Sequence, residues 1–457
     1  MELTASQFAK MDRDHLIHPL HNPSDPIIYV RGRGTTIQDI AGQSYLDGLS
    51  GLWNVNVGHG RAELAEAAAS QMNKLAYFSA YAGSSNIPAI TLAERLISIA
   101  YENMQAVFFT SGGAEANEAA LKTARFFWKA RGLPDKVKFI ARHEAYHGVT
   151  QLAMSATKMG AYWNMFEPRM PGVIHIPTCY PYRFEGAKTG ETVGEAAARE
   201  LEDAIVSAGA DTVAAFIAEP IHGAGGVFYP TDDYWPRVRE VCTRHNVLLI
   251  ADEVITGFCR TGRWFALSHW DVKPDIVTFA KGVTSGYLPL GGMMVSKDIK
   301  EVMDSVKPEH RWMHACTYSG HPTCCAVALR NIEIMERERL CENAANMGER
   351  LHNGLQEAFG NHPNVGDIRA GKGLLAAVEF VEDRTTKKNF SMERQVAARI
   401  QTEMMKRGVI TRTRPVVGNH PAPGDALFFA PPLIVTEAEV DRFVAVARDA
   451  VNSVLSM

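Results

Sequence analysis

Five short apolar runs recur through the middle of the chain, each stopping at a polar or charged side chain or a glycine turn: Ala106–Thr110, Lys138–Ala141, Thr212–Ala218, Val247–Ala251 and Asp275–Ala280. Each is too short for a buried helix and almost uninterrupted in its hydrophobicity, which predicts strands covered on both faces. The segments between them read as helices, among them Glu118 to Lys129, Val193 to Ala208 and Tyr234 to His245. Strands alternating with helices predict a mostly parallel α/β sheet. Ligands of such sheets bind beyond the carboxyl ends of the strands. Tyr146, Glu219, Asp252 and Lys281 each follow one of these runs, so one edge of one sheet collects four functional side chains.

The pattern differs at both ends of the chain. Residues 1–30 are polar and punctuated by proline, and His15 to Pro26 is expected to lack regular structure. Two strands follow, near Ile28–Arg31 and Thr36–Asp39, then a loop from Leu46 to Gly60, in which Trp53 reads either as lining a cleft or as a core anchor. Glu63 to Lys74 and Ile90 to Tyr101 are expected as helices, and residues 160–190 as irregular. From about residue 320 helices dominate: Pro322 to Leu340, Glu342 to Phe359, Met392 to Arg407 and Glu437 to Val454, with strands at Leu374–Phe380, Val409–Arg412 and Ala426–Phe429. That is an α+β lobe. The expected division is an N-terminal segment (1–60) packing with the smaller lobe, a large domain (61–320) and a C-terminal small domain (321–457).

Composition narrows the classes. The chain has 457 residues, 46% hydrophobic, enough for a large core, and a net charge of -4 that argues against a nucleic-acid groove or an anionic-membrane surface. No apolar run approaches the roughly 18 residues that span a bilayer. Met1 to Leu20 lacks a basic start before an apolar stretch, so a signal peptide is not expected. Seven cysteines without CxxC or CxH spacing predict free thiols, no metal site and a cytoplasmic location, with Cys324–Cys325 packed rather than paired.

The candidate chemistry centres on Lys281. A strand beneath would desolvate its amine, and the glycine-rich stretch Gly282 to Gly292 would leave it mobile, so it could lose its proton near neutral pH and form a Schiff base. Upstream, the strand Ala106–Thr110 runs into Ser111–Gly112–Gly113–Ala114 and then a helix, a layout that offers backbone N–H groups and a helix dipole to one phosphate. It lacks the third glycine of a dinucleotide fingerprint and the Gly-Lys-Ser/Thr of a Walker loop. Tyr146 could stack on an aromatic ligand, with Val254 packing the opposite face, whereas His147 reads as a hydrogen-bonded turn residue. Amine, phosphate cradle, stacking tyrosine and aspartate together describe a pocket for pyridoxal phosphate. Asp252 would keep the pyridine nitrogen protonated; an opposite charge at about 4 Å contributes roughly 4 kcal/mol at an effective dielectric near 20.

With these residues in view, the chain resembles the class III (omega) aminotransferases of the fold-type I pyridoxal-phosphate enzymes, most of all the omega-amine:pyruvate transaminases. The likeness is carried by SGLWNVNVGHG (50–60), TSGGAEANEAALK (110–122), YHG (146–148), AEPI (218–221), ADEVITGFCRTG (251–262), FAKG (279–282) and TYSGHP (317–322). It implies a seven-stranded, mostly parallel sheet in the large domain and a homodimer or dimer of dimers with the active site at the interface. It assigns Lys281 to the cofactor aldehyde and to proton shuttling, Asp252 to the ring nitrogen, and Val254 and Tyr146 to the ring faces. Gly112, Gly113 and Ala114 would hold the phosphate, Thr317 of the neighbouring subunit would complete that grip, and Glu219 would order the hydroxyl side. Trp53, Tyr162 and Arg412 would meet the substrate. Arg412 would swing in for the carboxylate of pyruvate and out for an amine. Arg414 is two residues away, and the segment Val417 to Asp425 looks longer than usual, so the register stays open. Many relatives carry serine where Ala114 stands, which removes one hydroxyl bond to the phosphate. The expected reaction is ping-pong transfer from a primary amine or omega-amino acid to pyruvate. The alternative is a class III enzyme of the ornithine or 4-aminobutyrate type that uses 2-oxoglutarate. A cofactor-sensing regulator would need a DNA-binding segment, and none is visible before residue 30.

Overall fold

The computed structural model describes residues 3–20, 23–415 and 423–455. The apolar runs assemble into one seven-stranded sheet in the order Met104–Thr110, Gly291–Ser296, Ile276–Phe279, Leu248–Asp252, Val213–Ala218, Lys138–Arg142 and Val173–Ile176. Only Gly291–Ser296 runs against the rest. The central strands Val213–Ala218 and Leu248–Asp252 are buried along their whole length, as a sheet covered on both faces requires. Helices Gly113–Ala130, Val193–Ala208 and Tyr234–Arg244 supply the covering.

A smaller α+β domain carries an antiparallel sheet in the order Val365–Arg369, Ala376–Phe380, Asp425–Phe429 and Arg412–Arg414. A third sheet joins the two ends of the chain: Tyr29–Arg33, Thr36–Asp39 and Ser44–Asp47 form a meander, and Val409–Ile410 pairs in parallel with Leu46 and Asp47. Arg260 ties these parts together. Its buried guanidinium donates to Ser50 Oγ (2.9 Å), Asn56 Oδ1 (2.7 Å) and the carbonyls of Leu374 (3.1 Å) and Pro431 (2.6 Å). Burial pulls it down to about 9. One side chain therefore links the loop after Asp252 to both lobes.

Four features depart from the expectations. A helix spans Ala5–His15, begun by a capping box in which Thr4 and Gln7 satisfy each other's backbone N–H groups. Val173–Ile176 is an edge strand inside the stretch read as irregular. Gly291 and Gly292 belong to the antiparallel strand rather than to a turn. A Cβ on Gly291 would lie 2.9 Å from the Gly112 carbonyl, and one on Gly292 2.5 Å from the Phe108 oxygen, so both glycines serve close packing. A Cβ on Gly282 would likewise lie 2.6 Å from the Asn56 amide nitrogen, so the glycine that follows Lys281 also serves close packing. Finally, Cys259 and Cys341 form a disulfide with Cα atoms 4.5 Å apart, where free thiols were expected. Eighty-two residues separate them, so only the fold brings them together. Cys324 and Cys325 are buried and unpaired. Among the described residues, no helix is long and apolar enough to cross a membrane.

Candidate active site

At the carboxyl edge of the large sheet lies a cavity of about 450 Å³, lined by Gly112, Gly113, Ala114, Tyr146, Glu219, Asp252, Val254 and Lys281, eight of the residues singled out from the sequence. One end of it is the start of helix Gly113–Ala130. Gly112 is the N-cap and offers no side chain, so the first-turn N–H groups point into the cavity without a capping oxygen. Glu115 turns back to accept from the Ser111 N–H (2.8 Å) and leaves the helix end open. A Cβ on Gly113 would stand 3.0 Å from Val254, and one on Gly148 2.6 Å from the Ala114 Cβ. Small residues and unused donors at a dipole's positive end fit a phosphate.

Asp252 closes its strand at the opposite end. Its Oδ2 accepts from His147 Nδ1 (2.7 Å) and Asn117 Nδ2 (2.8 Å), and its Oδ1 from the Val254 N–H (3.1 Å). Beside it, Glu219 accepts from the N–H groups of Gly223 (2.7 Å) and Tyr146 (3.2 Å). Burial raises the Glu219 carboxyl above its ordinary range, and those two donors pull back. The Tyr146 ring meets Tyr162 at 5.2 Å between centroids. Tyr146 and Val254 both line the cavity.

Lys281 has φ +46, a backbone state that side chains rarely adopt, which aims its amine into the cavity. It keeps some surface open to that space, yet the protein around it desolvates the amine. Desolvation pushes its pKa down, Asp252 and Glu219 oppose the shift, and Arg412 reinforces it. An amine held this way is closer to its neutral, nucleophilic form than a surface lysine.

Trp53 is buried, and the Arg412 guanidinium lies 5.2 Å from its ring centroid. The alternatives left by the sequence separate here: Arg414 donates to Glu144 (2.6 Å), while Arg412 has no carboxylate partner among the described residues. Residues 417–422 of the segment that left the register open lie outside the described residues. Thr317 is exposed and away from its own chain's cavity, and its carbonyl accepts from Tyr77 OH (2.8 Å). Sequence reasoning gave no role to Asn117 or Asn54, and it took His147 for a turn residue; all three line the cavity.

The class-III aminotransferase family model matches residues 20–451. The putrescine–pyruvate aminotransferase of Pseudomonas aeruginosa is 38% identical over 448 residues, covering 97% of this chain and 95% of that one. The diaminobutyrate–2-oxoglutarate transaminase of Halomonas elongata is 39% identical, covering 96% and 93%. Among solved structures, a thermostable (S)-enantioselective omega-transaminase from Thermomicrobium roseum superposes with a TM-score of 0.94 at 44% identity, covering 100% of both chains.

Proposed function

Because this chain belongs to the class-III aminotransferases, which use pyridoxal phosphate, we propose that it transfers an amino group from a primary amine or omega-amino acid to pyruvate by a ping-pong mechanism. The observation that carries this reading is the unequal standing of the two arginines. Among the described residues Arg412 leaves one guanidinium without a carboxylate partner, beside Trp53 and near Lys281, while Arg414 is committed to Glu144. One free guanidinium matches the one carboxylate of pyruvate; 2-oxoglutarate carries two.

When bound, the cofactor supplies an aldehyde that captures the amine and a ring that accepts electrons from the substrate carbon. Each remaining part belongs to the chain. The N–H groups at the start of helix Gly113–Ala130, with Gly112 and Ala114, hold the phosphate. Tyr146 and Val254 bracket the ring. Asp252 would hold the proton at the ring nitrogen. Glu219 orders the hydroxyl side. Lys281 Nζ, whose pKa burial lowers, would take a proton from the substrate carbon and return it. Trp53 and Tyr162 shape the amine site, and Arg412 binds the carboxylate of the acceptor. Thr317, unable to reach its own cavity, would complete the phosphate site of a second copy. The exposed apolar side chains Met72, Leu75, Phe78, Ile87 and Ile90 give such a copy a surface to cover.

Visible absorption of the purified holoenzyme tests the reading. Adding a primary amine without acceptor is expected to bleach the band of the bound cofactor, and pyruvate, but not 2-oxoglutarate, to restore it. Restoration by 2-oxoglutarate alone would overturn the acceptor assignment. No visible band after adding pyridoxal phosphate would overturn the role of Lys281.

A further inference from the structure

Asp252 is held by a relay of side chains with no part in the roles above. Asn117 donates through Nδ2 both to Asp252 Oδ2 (2.8 Å) and to the His147 carbonyl (2.7 Å), while its Oδ1 accepts from Thr278 Oγ1 (2.7 Å). The amide therefore cannot rotate without losing three bonds. Asn117, His147, Thr278 and Asp252 are all at least 97% buried. Together with His147 Nδ1, the relay places two side-chain donors on Oδ2. Oδ1 has only the Val254 N–H among the described residues, and Asp252 lines the cavity.

Merely anchoring a carboxylate at a strand end needs less than this; Glu219 is held by two backbone N–H groups and no side chain. A donor to a carboxylate stabilises its charged form over its protonated form, and does so strongly where water is excluded. Where a carboxylate and a ring nitrogen share one proton, added donors on the carboxylate move that proton toward the nitrogen. The other charged groups facing this pair across the cavity are Lys281 and Glu219, with His147 alongside.

We propose that Asn117, locked by Thr278, is a positioning residue that acts through Asp252: its donor holds the carboxylate aimed so that the ring nitrogen of the bound cofactor retains its proton. The inference holds whichever keto acid is the acceptor, so its failure and the failure of the pyruvate reading are distinguishable.

The test uses holoenzyme reconstituted with cofactor carrying an isotope-labelled ring nitrogen, in Asn117→Leu (near in size, without a donor) and Thr278→Val. Nitrogen NMR of Asn117→Leu is expected to show the resonance moved toward that of unprotonated pyridine. Its kcat should fall about tenfold, the effect of one pKa unit, while KM for the amine changes less than about twofold. Thr278→Val, which only frees the amide to turn, should move both readouts the same way by less. An unchanged nitrogen resonance and kcat with a lowered Tm would overturn the proposal and leave Asn117 a purely structural residue. If Asn117→Leu does not fold, the resonance of Thr278→Val decides by the same criterion.

Discussion

Replacing Arg412 and Arg414 by alanine, one at a time, separates a guanidinium that meets substrate from one that holds the fold. The Arg414–Glu144 contact is 2.6 Å, with side chains only 9% and 25% exposed. Without Arg414, Glu144 keeps a carboxyl already raised by burial and only Lys158 to oppose it. Breaking such a pair costs about 3 kcal/mol. An unfolding entropy of about 2.1 cal/mol/K per residue over 457 residues is about 1 kcal/mol/K, so Tm should fall by about 3 °C. Arg412→Ala loses only the cation–π contact with Trp53, worth about 0.5–1 kcal/mol, and Tm should fall by about 1 °C or less. Kinetics should reverse the ranking. A charge-assisted pair with a carboxylate is worth about 2 kcal/mol, so Arg412→Ala should raise the KM for pyruvate about 30-fold and leave that for the amine within about twofold. Steady-state rates with both substrates varied, set beside thermal unfolding of each variant, read both effects. A selective rise in pyruvate KM in Arg414→Ala, with Tm unchanged, would refute the reasoning.

Ala114→Ser should slow cofactor loss on dialysis about fivefold, the worth of about 1 kcal/mol from one added hydrogen bond. Ala114 lines the cavity beside Gly112 and Gly113, and an unchanged loss rate would count against a hydroxyl reaching the phosphate there. Glu379 is buried, which by itself would raise its carboxyl, but Arg369 (2.7 Å) and Arg183 (2.6 Å) hold it at about 2. A depressed carboxylate contributes stability above its ordinary value of 4.5, and that contribution is lost as pH falls from there through about 2. The contribution at neutral pH is about 3 kcal/mol. Urea midpoints followed with pH should therefore fall more steeply in this window for the wild type than for Glu379→Gln, and parallel slopes would contradict the pairing. Alkylation of the denatured, unreduced protein should label five thiols and reach seven only after reduction; seven without reductant would disprove the Cys259–Cys341 bond.

Much of this protein is legible in the sequence because its strongest signals are local. Apolar runs of four to seven residues between helical segments read as buried strands, and the side chain that ends each run stands at the sheet's edge. The sequence pattern therefore puts Asp252, Glu219 and Lys281 on the edge that lines the cavity, together with the glycine turn after Thr110, whose chemistry follows from the helix it opens. Tertiary structure alone decided what depends on distance between segments. Asn117 reads as an ordinary helix residue until the sheet brings Asp252 to within 2.8 Å of it. Gly291 and Gly292 have the composition of a turn, and only the approach of Gly112 and Phe108 shows why a strand needs them there. Cys259 and Cys341 carry no mutual spacing signal, and Arg412 and Arg414 are indistinguishable by pattern, being two residues apart on one strand. They differ because Glu144, from the loop after strand Lys138–Arg142, reaches one and not the other. Local hydrophobic periodicity specifies elements and their ends, whereas pairing, close packing and the choice among like charges are set by contacts that form only once those elements are packed.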